Sequence, residues 1–234
     1  MRRITIVLIA AIAISFMGCN KEKLITLSTT STTLHHGETY QIPAECENPI
    51  TYSSANQYHA KVSSSGLVTA QYVGKTTIRL ESEDDSKTFT VTVSPKSQLY
   101  PEPNIRFGET KSSVISKYGT PTTTNSGIGY NNYSTNAPIL LVTLDGNDCV
   151  TGYALAVKSA YTSELADFLG ERYATIGYDD DVSYYRNGLS ASTSTMAVAL
   201  TLYNVNYWLV AYLPYDSKGD INKIDMDALL KMLE

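Results

Sequence analysis

Histidine, cysteine and tryptophan are scarce in this chain, at three, three and one among 234 residues. The histidines His35, His36 and His59 all lie early, so a nucleophile placed after position 59 has no imidazole base and the usual triad chemistry is excluded there. Gly188-Leu189-Ser190-Ala191-Ser192 also lacks the second glycine of a nucleophile elbow. His35 and His36 are adjacent, and neighbours in extended chain point to opposite faces, so they share a metal poorly and read as turn histidines. Asp179-Asp180-Asp181 and Asp145-Gly146-Asn147-Asp148 are acidic, but calcium needs about six to eight oxygens, and Asp-Gly is ordinary hairpin composition. No catalytic residue, metal ligand or cofactor is therefore expected. Basic residues are outnumbered 18 to 23, which argues against nucleic acid and anionic membrane surfaces as partners. Long apolar runs are missing as well. The longest, at the N-terminus, falls short of the roughly 20 residues that span a bilayer.

What is present begins with that run. Arg2 and Arg3 precede Ile4 to Phe16, which is apolar apart from Thr5 and Ser15 and about 20 Å long as a helix. A positive start and a short apolar core read as a signal peptide, residues 1–18. Phe16-Met17-Gly18-Cys19 resembles a lipobox, which implies cleavage before Cys19 and its acylation with chains such as palmitate. Residues 19–23 would then be a short polar tether. Two or more acyl chains hold a protein stably on a membrane, whereas one binds marginally. Removing residues 1–18 takes away Arg2 and Arg3 and leaves 16 basic against 23 acidic residues, a net charge of −7. The Lys-Glu step after Cys19 resembles surface-export signals of some Gram-negative lipoproteins, so the expected location is the outer membrane, lipid-anchored, at the cell surface.

Residues 24–94 alternate with period two. Tyr40, Ile42, Ala44 and Cys46 fall on one face, and so do Thr76, Ile78 and Leu80, then Phe89, Val91 and Val93. Turn residues separate them at His36-Gly37, Asn48-Pro49, Ser65-Gly66, Gly74 and Glu83-Asp84-Asp85-Ser86. Short strands with regular turns predict an all-β sandwich. Leu34 to Tyr40, Ile50-Thr51-Tyr52-Ser53-Ser54-Ala55-Asn56, Ser65 to Ala70 and Gly74 to Ile78 together resemble the bacterial immunoglobulin-like domain of group 2, with Tyr52 where that family carries tryptophan. The resemblance implies a spacer or binding module and no enzyme.

Pro95, Pro101 and Pro103 stiffen residues 95–104, which read as a semi-rigid linker. After it, residues 105–234 change pattern. Thr110 and Thr162 are placed to cap short helices ending near Gly119 and Gly170. Strands are expected at 130–133, 139–144, 150–157, around Tyr184-Tyr185-Arg186, at 196–203 and at 207–213, with a last helix over Asp225 to Leu233. Helix, long loop, tyrosine strand and hairpin thus recur, so the expected class is α+β, helices packed on an antiparallel sheet, and pseudo-duplicated. Phe107 to Pro121 resembles the opening motif of SmpA/OmlA outer-membrane lipoproteins, and a tandem copy of that unit resembles β-lactamase-inhibitor protein.

Fourteen of the eighteen tyrosines lie from Tyr100 onward. An open sheet face bearing Tyr203, Trp208 and Tyr212 could grip a partner, since aromatics dominate binding hot spots. The competing reading buries both faces. The sequence thus favours a non-enzymatic surface adhesion module binding protein or glycan. Its rival is a periplasm-facing lipoprotein that scaffolds outer-membrane assembly or inhibits an enzyme, and the oligomeric state stays open. Cys19→Ser is expected to leave the exported chain unacylated and soluble. Intact mass of the membrane-extracted protein checks this, and an unmodified Cys19 in the native protein would refute the anchor.

Overall fold

The computed structural model describes residues 23–122, 127–179 and 181–215. The signal segment, Cys19 with most of its tether, Asp180 and the expected helix at Asp225 to Leu233 lie outside them.

The first unit is built from nine short strands: β1 Thr26–Leu27, β2 Ser31–Leu34, β3 Thr39–Gln41, β4 Ala44–Glu45, β5 Thr51–Ser54, β6 Ala60–Val62, β7 Leu67–Ala70, β8 Gly74–Glu81 and β9 Ser86–Val93. They form a four-stranded sheet in the order β2-β9-β8-β5, a three-stranded sheet β3-β7-β6 and a small pair β1-β4. Strand β8 shows why the sequence pattern works. Thr76, Ile78 and Leu80 are buried while Lys75, Thr77, Arg79 and Glu81 face water. Phe89, Val91 and Val93 of β9 join them, and Ile42, Val68 and Ala70 close the core with them. Gly66 has φ +80°, and a Cβ there would stand 2.8 Å from Cζ of Tyr52, so the turn and the tyrosine require each other.

In the second unit α1 (Lys111–Tyr118) is followed by β10 Gly127–Asn131, β11 Ile139–Leu144 and β12 Val150–Lys158. A 3-10 turn, Ser159–Tyr161, leads into α2 (Thr162–Gly170). Then come β13 Ala174–Asp179, β14 Val182–Arg186, β15 Met196–Asn204 and β16 Tyr207–Pro214. All seven strands make one antiparallel sheet, β10-β11-β12-β16-β15-β14-β13.

This corrects the expected α+β class. Of the described residues 47% are strand and 12% helical, so the protein is nearly all β. The helices are two to three turns long and supply few core side chains, Val114 from α1 and Leu165, Phe168 and Leu169 from α2. The stretch expected as a long loop after α2 is strand β13, and the halves contribute three and four strands, so the expected repeat of helix, long loop and hairpin is corrected too. Thr110 caps α1 as expected, its side chain accepting from the backbone N–H of Ser113. Thr162 does not cap α2. It is the first helical residue, and its hydroxyl donates to Ser159 O at 2.7 Å.

Beside α1, Glu109 receives Lys117 Nζ at 2.8 Å, the Ser113 hydroxyl at 2.7 Å and the Tyr153 hydroxyl at 2.5 Å. Burial alone would raise its pKa, but the hydrogen bonds from Lys117, Tyr153 and Ser113 outweigh that and hold it below the ordinary 4.5. A carboxyl with a lowered folded pKa contributes stability that is complete above its unfolded value and is lost as pH falls through the folded one. Thermal midpoints measured on acidification below pH 4.5 are therefore expected to fall less steeply for Glu109→Gln than for the native chain. Parallel curves would show that Glu109 contributes nothing to acid sensitivity.

Candidate binding site at the domain junction

The three aromatics expected to form one open face do not share one. Across the β15–β16 hairpin, Val198 pairs with Tyr212, Leu200 with Val210 and Leu202 with Trp208. Directly paired residues point the same way, so Tyr212 and Trp208 lie on the face that packs the main core. Tyr212 is 0% exposed and bonds the Tyr100 hydroxyl at 2.9 Å. Trp208 is half-buried, its indole N–H donating to Thr162 Oγ1 at 2.8 Å. The register shifts between Leu202 and Asn204, and Tyr203 packs on the opposite face beside Ala199, Leu209 and Ala211.

Polar chemistry converges elsewhere, where the two units meet. Glu171 follows α2 directly and is 6% exposed. Its carboxylate accepts the backbone N–H of Lys96 at 2.8 Å and of Ser97 at 3.1 Å. Its backbone carbonyl accepts the N–H of Val73, in the first unit, at 2.8 Å. Arg172 Nη1 lies 2.5 Å from Glu171 Oε1, and Nη2 donates to Ser97 O at 2.9 Å. The guanidinium sits 3.6 Å from the Phe168 ring centre, so the cation is held by charge, hydrogen bonds and an aromatic face together. A carboxylate and a guanidinium this buried depend on each other and on the surrounding backbone groups for their hydrogen bonds.

Tyr58 seals the junction from the other side. Its hydroxyl is 2.7 Å from the carbonyl oxygen of Arg172 and 3.2 Å from that of Arg186, and its ring stacks on Tyr72 with centroids 4.6 Å apart. Burial, then the neighbouring Tyr72, pushes its pKa up, so it stays a hydrogen-bond donor. The segment expected as a linker is part of the same assembly. Leu99 and Tyr100 are each 3% exposed within the second core, and Asn136 Nδ2 donates to Leu99 O. Glu102 accepts from the Tyr173 hydroxyl and pairs with Arg172 Nε at 3.3 Å. Burial, then the Glu102 charge, raises the Tyr173 pKa well above its usual value.

Around Glu102, Tyr173 and Asn187 runs a solvent-open cleft in two lobes, of about 380 Å³ and about 280 Å³. Sequence reasoning had no signal for it, because its walls come from residues 56–73, 102–107, 172–173 and 187–196. Among the described residues no group of three or more His, Cys, Asp or Glu could hold a metal ion. Cys46 and Cys149 are free thiols.

A family profile described as bacterial Ig-like domain (group 2) matches residues 23–93. This stretch is such a domain, a binding fold without catalytic function. No curated protein matches the chain. Among solved structures, the C-terminal domain of TagH is 12% identical, with 72% of this chain and 98% of that one covered and a TM-score of 0.30. Domains 4–9 of the surface layer protein SbsC are 13% identical over 83% of this chain and 27% of that one, with a TM-score of 0.26. Human protocadherin-24 EC1-2 is 12% identical over 83% and 95%, with a TM-score of 0.27. Scores this low assign no common fold to the whole chain.

Removing the Glu171 side chain leaves two amides without their acceptor and takes from Arg172 the nearer of its two carboxylates, a loss of about 3–5 kcal/mol for a broken buried pair. Tyr58→Phe removes one hydrogen bond across the junction, about 1 kcal/mol. Calorimetry of the native chain is expected to give one unfolding transition, and Glu171→Ala is expected to split it into two. A single, unshifted transition in Glu171→Ala would refute the clamp.

Proposed function

We propose that this chain is a non-enzymatic binding module of the bacterial cell surface, held on the outer membrane by acyl chains on Cys19. The observation that carries the reading is the group 2 Ig-like domain at residues 23–93, starting four residues after the acylatable cysteine. A binding fold placed next to the membrane anchor acts as a base for whatever follows it. Here the base is not hinged freely. Glu171, Arg172 and Tyr58 join it to the second unit, so a ligand bound by the second unit would pull on the anchor through a stiff body. Stiffness suits adhesion, since a bound partner then costs less orientational freedom.

The lack of a second-unit histidine supports a binding role over hydrolysis. The net charge of −7 after cleavage favours protein or glycan partners over nucleic acid.

Protease added to intact cells is expected to digest the chain while a periplasmic control protein stays whole. Full protection until the outer membrane is permeabilised would place it facing the periplasm and overturn the surface reading.

A further inference from the structure

The junction cleft has a lining with two chemistries. In the larger lobe Ile105, Phe107 and Met196 offer half-buried apolar surface beside the exposed hydroxyl of Thr195. In the smaller lobe stand Asn56 and His59. Asn56 uses Oδ1 to accept from the Tyr58 N–H, and its amide NH₂ has no partner among the described residues. His59 Nδ1 lies 3.1 Å from the Tyr72 carbonyl, which can only accept, so Nδ1 donates there.

Between the lobes sits Glu102, with 34% of its side chain exposed. Tyr173 and Arg172 each occupy one carboxylate oxygen, and each oxygen keeps a further lone pair. Arg172 is shared between Glu102 at 3.3 Å and Glu171 at 2.5 Å, so the two carboxylates exceed the one guanidinium and an anionic ligand is repelled. Hydroxyl groups are donors that fit a carboxylate held in place by two partners and left with open lone pairs. A ligand that offers hydroxyls along its rim and C–H groups on its face also matches the apolar wall. Both lobes are open to solvent, so a chain can run through them.

From this we infer that the cleft is a subsite for a neutral oligosaccharide, bound across both units. The inference rests on the reading of the chain as a binding module and gives that module its ligand class and its place. Glu102 and Asn56 accept from and donate to sugar hydroxyls, and Phe107 and Met196 take the apolar face of a ring. Because Arg172 and Tyr173 fix Glu102, the domain clamp also sets the geometry of the site.

The test uses the full chain from residue 20, purified without its acyl anchor, on an array of neutral, amino and acidic oligosaccharides. Titration calorimetry then follows the strongest neutral binder. Neutral members are expected to bind in preference to acidic ones. Thr195→Trp, at an exposed position, fills the larger lobe and is expected to weaken binding at least tenfold while its circular dichroism spectrum stays that of the native fold. Glu102→Gln is expected to weaken it by a similar factor. Binding of no neutral member, preference for acidic sugars, or native affinity in Thr195→Trp each overturns the assignment. If shaving digests the chain on intact cells while no neutral sugar binds, the surface reading stands and this site falls.

Discussion

Two oppositely charged side chains that follow α2, Glu171 and Arg172, organise what lies between the two halves of this protein. Glu171 is almost fully buried, so its carboxylate must be hydrogen-bonded, and the donors it finds are the amides of Lys96 and Ser97 and the guanidinium of Arg172. Those amides belong to the segment leaving the first unit. Arg172 in turn bonds the Ser97 carbonyl and Glu102, and Tyr58 bonds the Arg172 carbonyl. Each contact orders the next. Without the buried carboxylate, the start of the proline-containing segment at Lys96 and Ser97 would lose two hydrogen bonds, and Arg172, which also holds Glu102 at the cleft, would lose its nearer partner.

The second constraint is the register of the central strands. Pairing of β12 with β16 joins three strands from one half to four from the other. The same register sends Val198, Val210 and Tyr212 to the face packed by α2, where Tyr212 meets Tyr100. Ala154, Ala199 and Ala211 line the other face, with Tyr203 beside them. A one-residue slip would exchange these sets, burying tyrosines where there is room for alanine. Both faces of the central strands are thus taken up by packing, and the open cleft lies at the junction with the first unit.

The first unit was legible because one face of each strand is buried and the other wet. Ile78 and Leu80 alternate with Arg79 and Glu81, and water enforces that alternation directly in the residue types. Glycines at turns, such as Gly66, add local signals. In the second unit several strands have little contrast between faces. In β12 most residues from Gly152 to Val157 are buried on both sides, and the alternation fades. Strand β13 failed for the opposite reason. Its residues Gly177, Tyr178 and Asp179 are exposed on an edge, with a bulge beside Gly177, so no period-two pattern marked it.

By itself the sequence determined the strand pattern of the first unit, the start of α1 at Thr110, the bounds of β11 and the scarcity of imidazole that leaves the second unit without a histidine base. Each of these depends on residues near one another in the chain, where sterics, turn conformation and solvent contact act locally. Tertiary structure alone decided that Tyr212 is core and Trp208 half-covered, that Tyr100 belongs to the second unit, and that Glu102, Asn56 and Asn187 border one cleft. Those outcomes depend on strand register and on partners more than seventy residues apart, such as Glu171 with Lys96 and Ser97. No local pattern encodes such a pairing, because its energy exists only once the chain has closed.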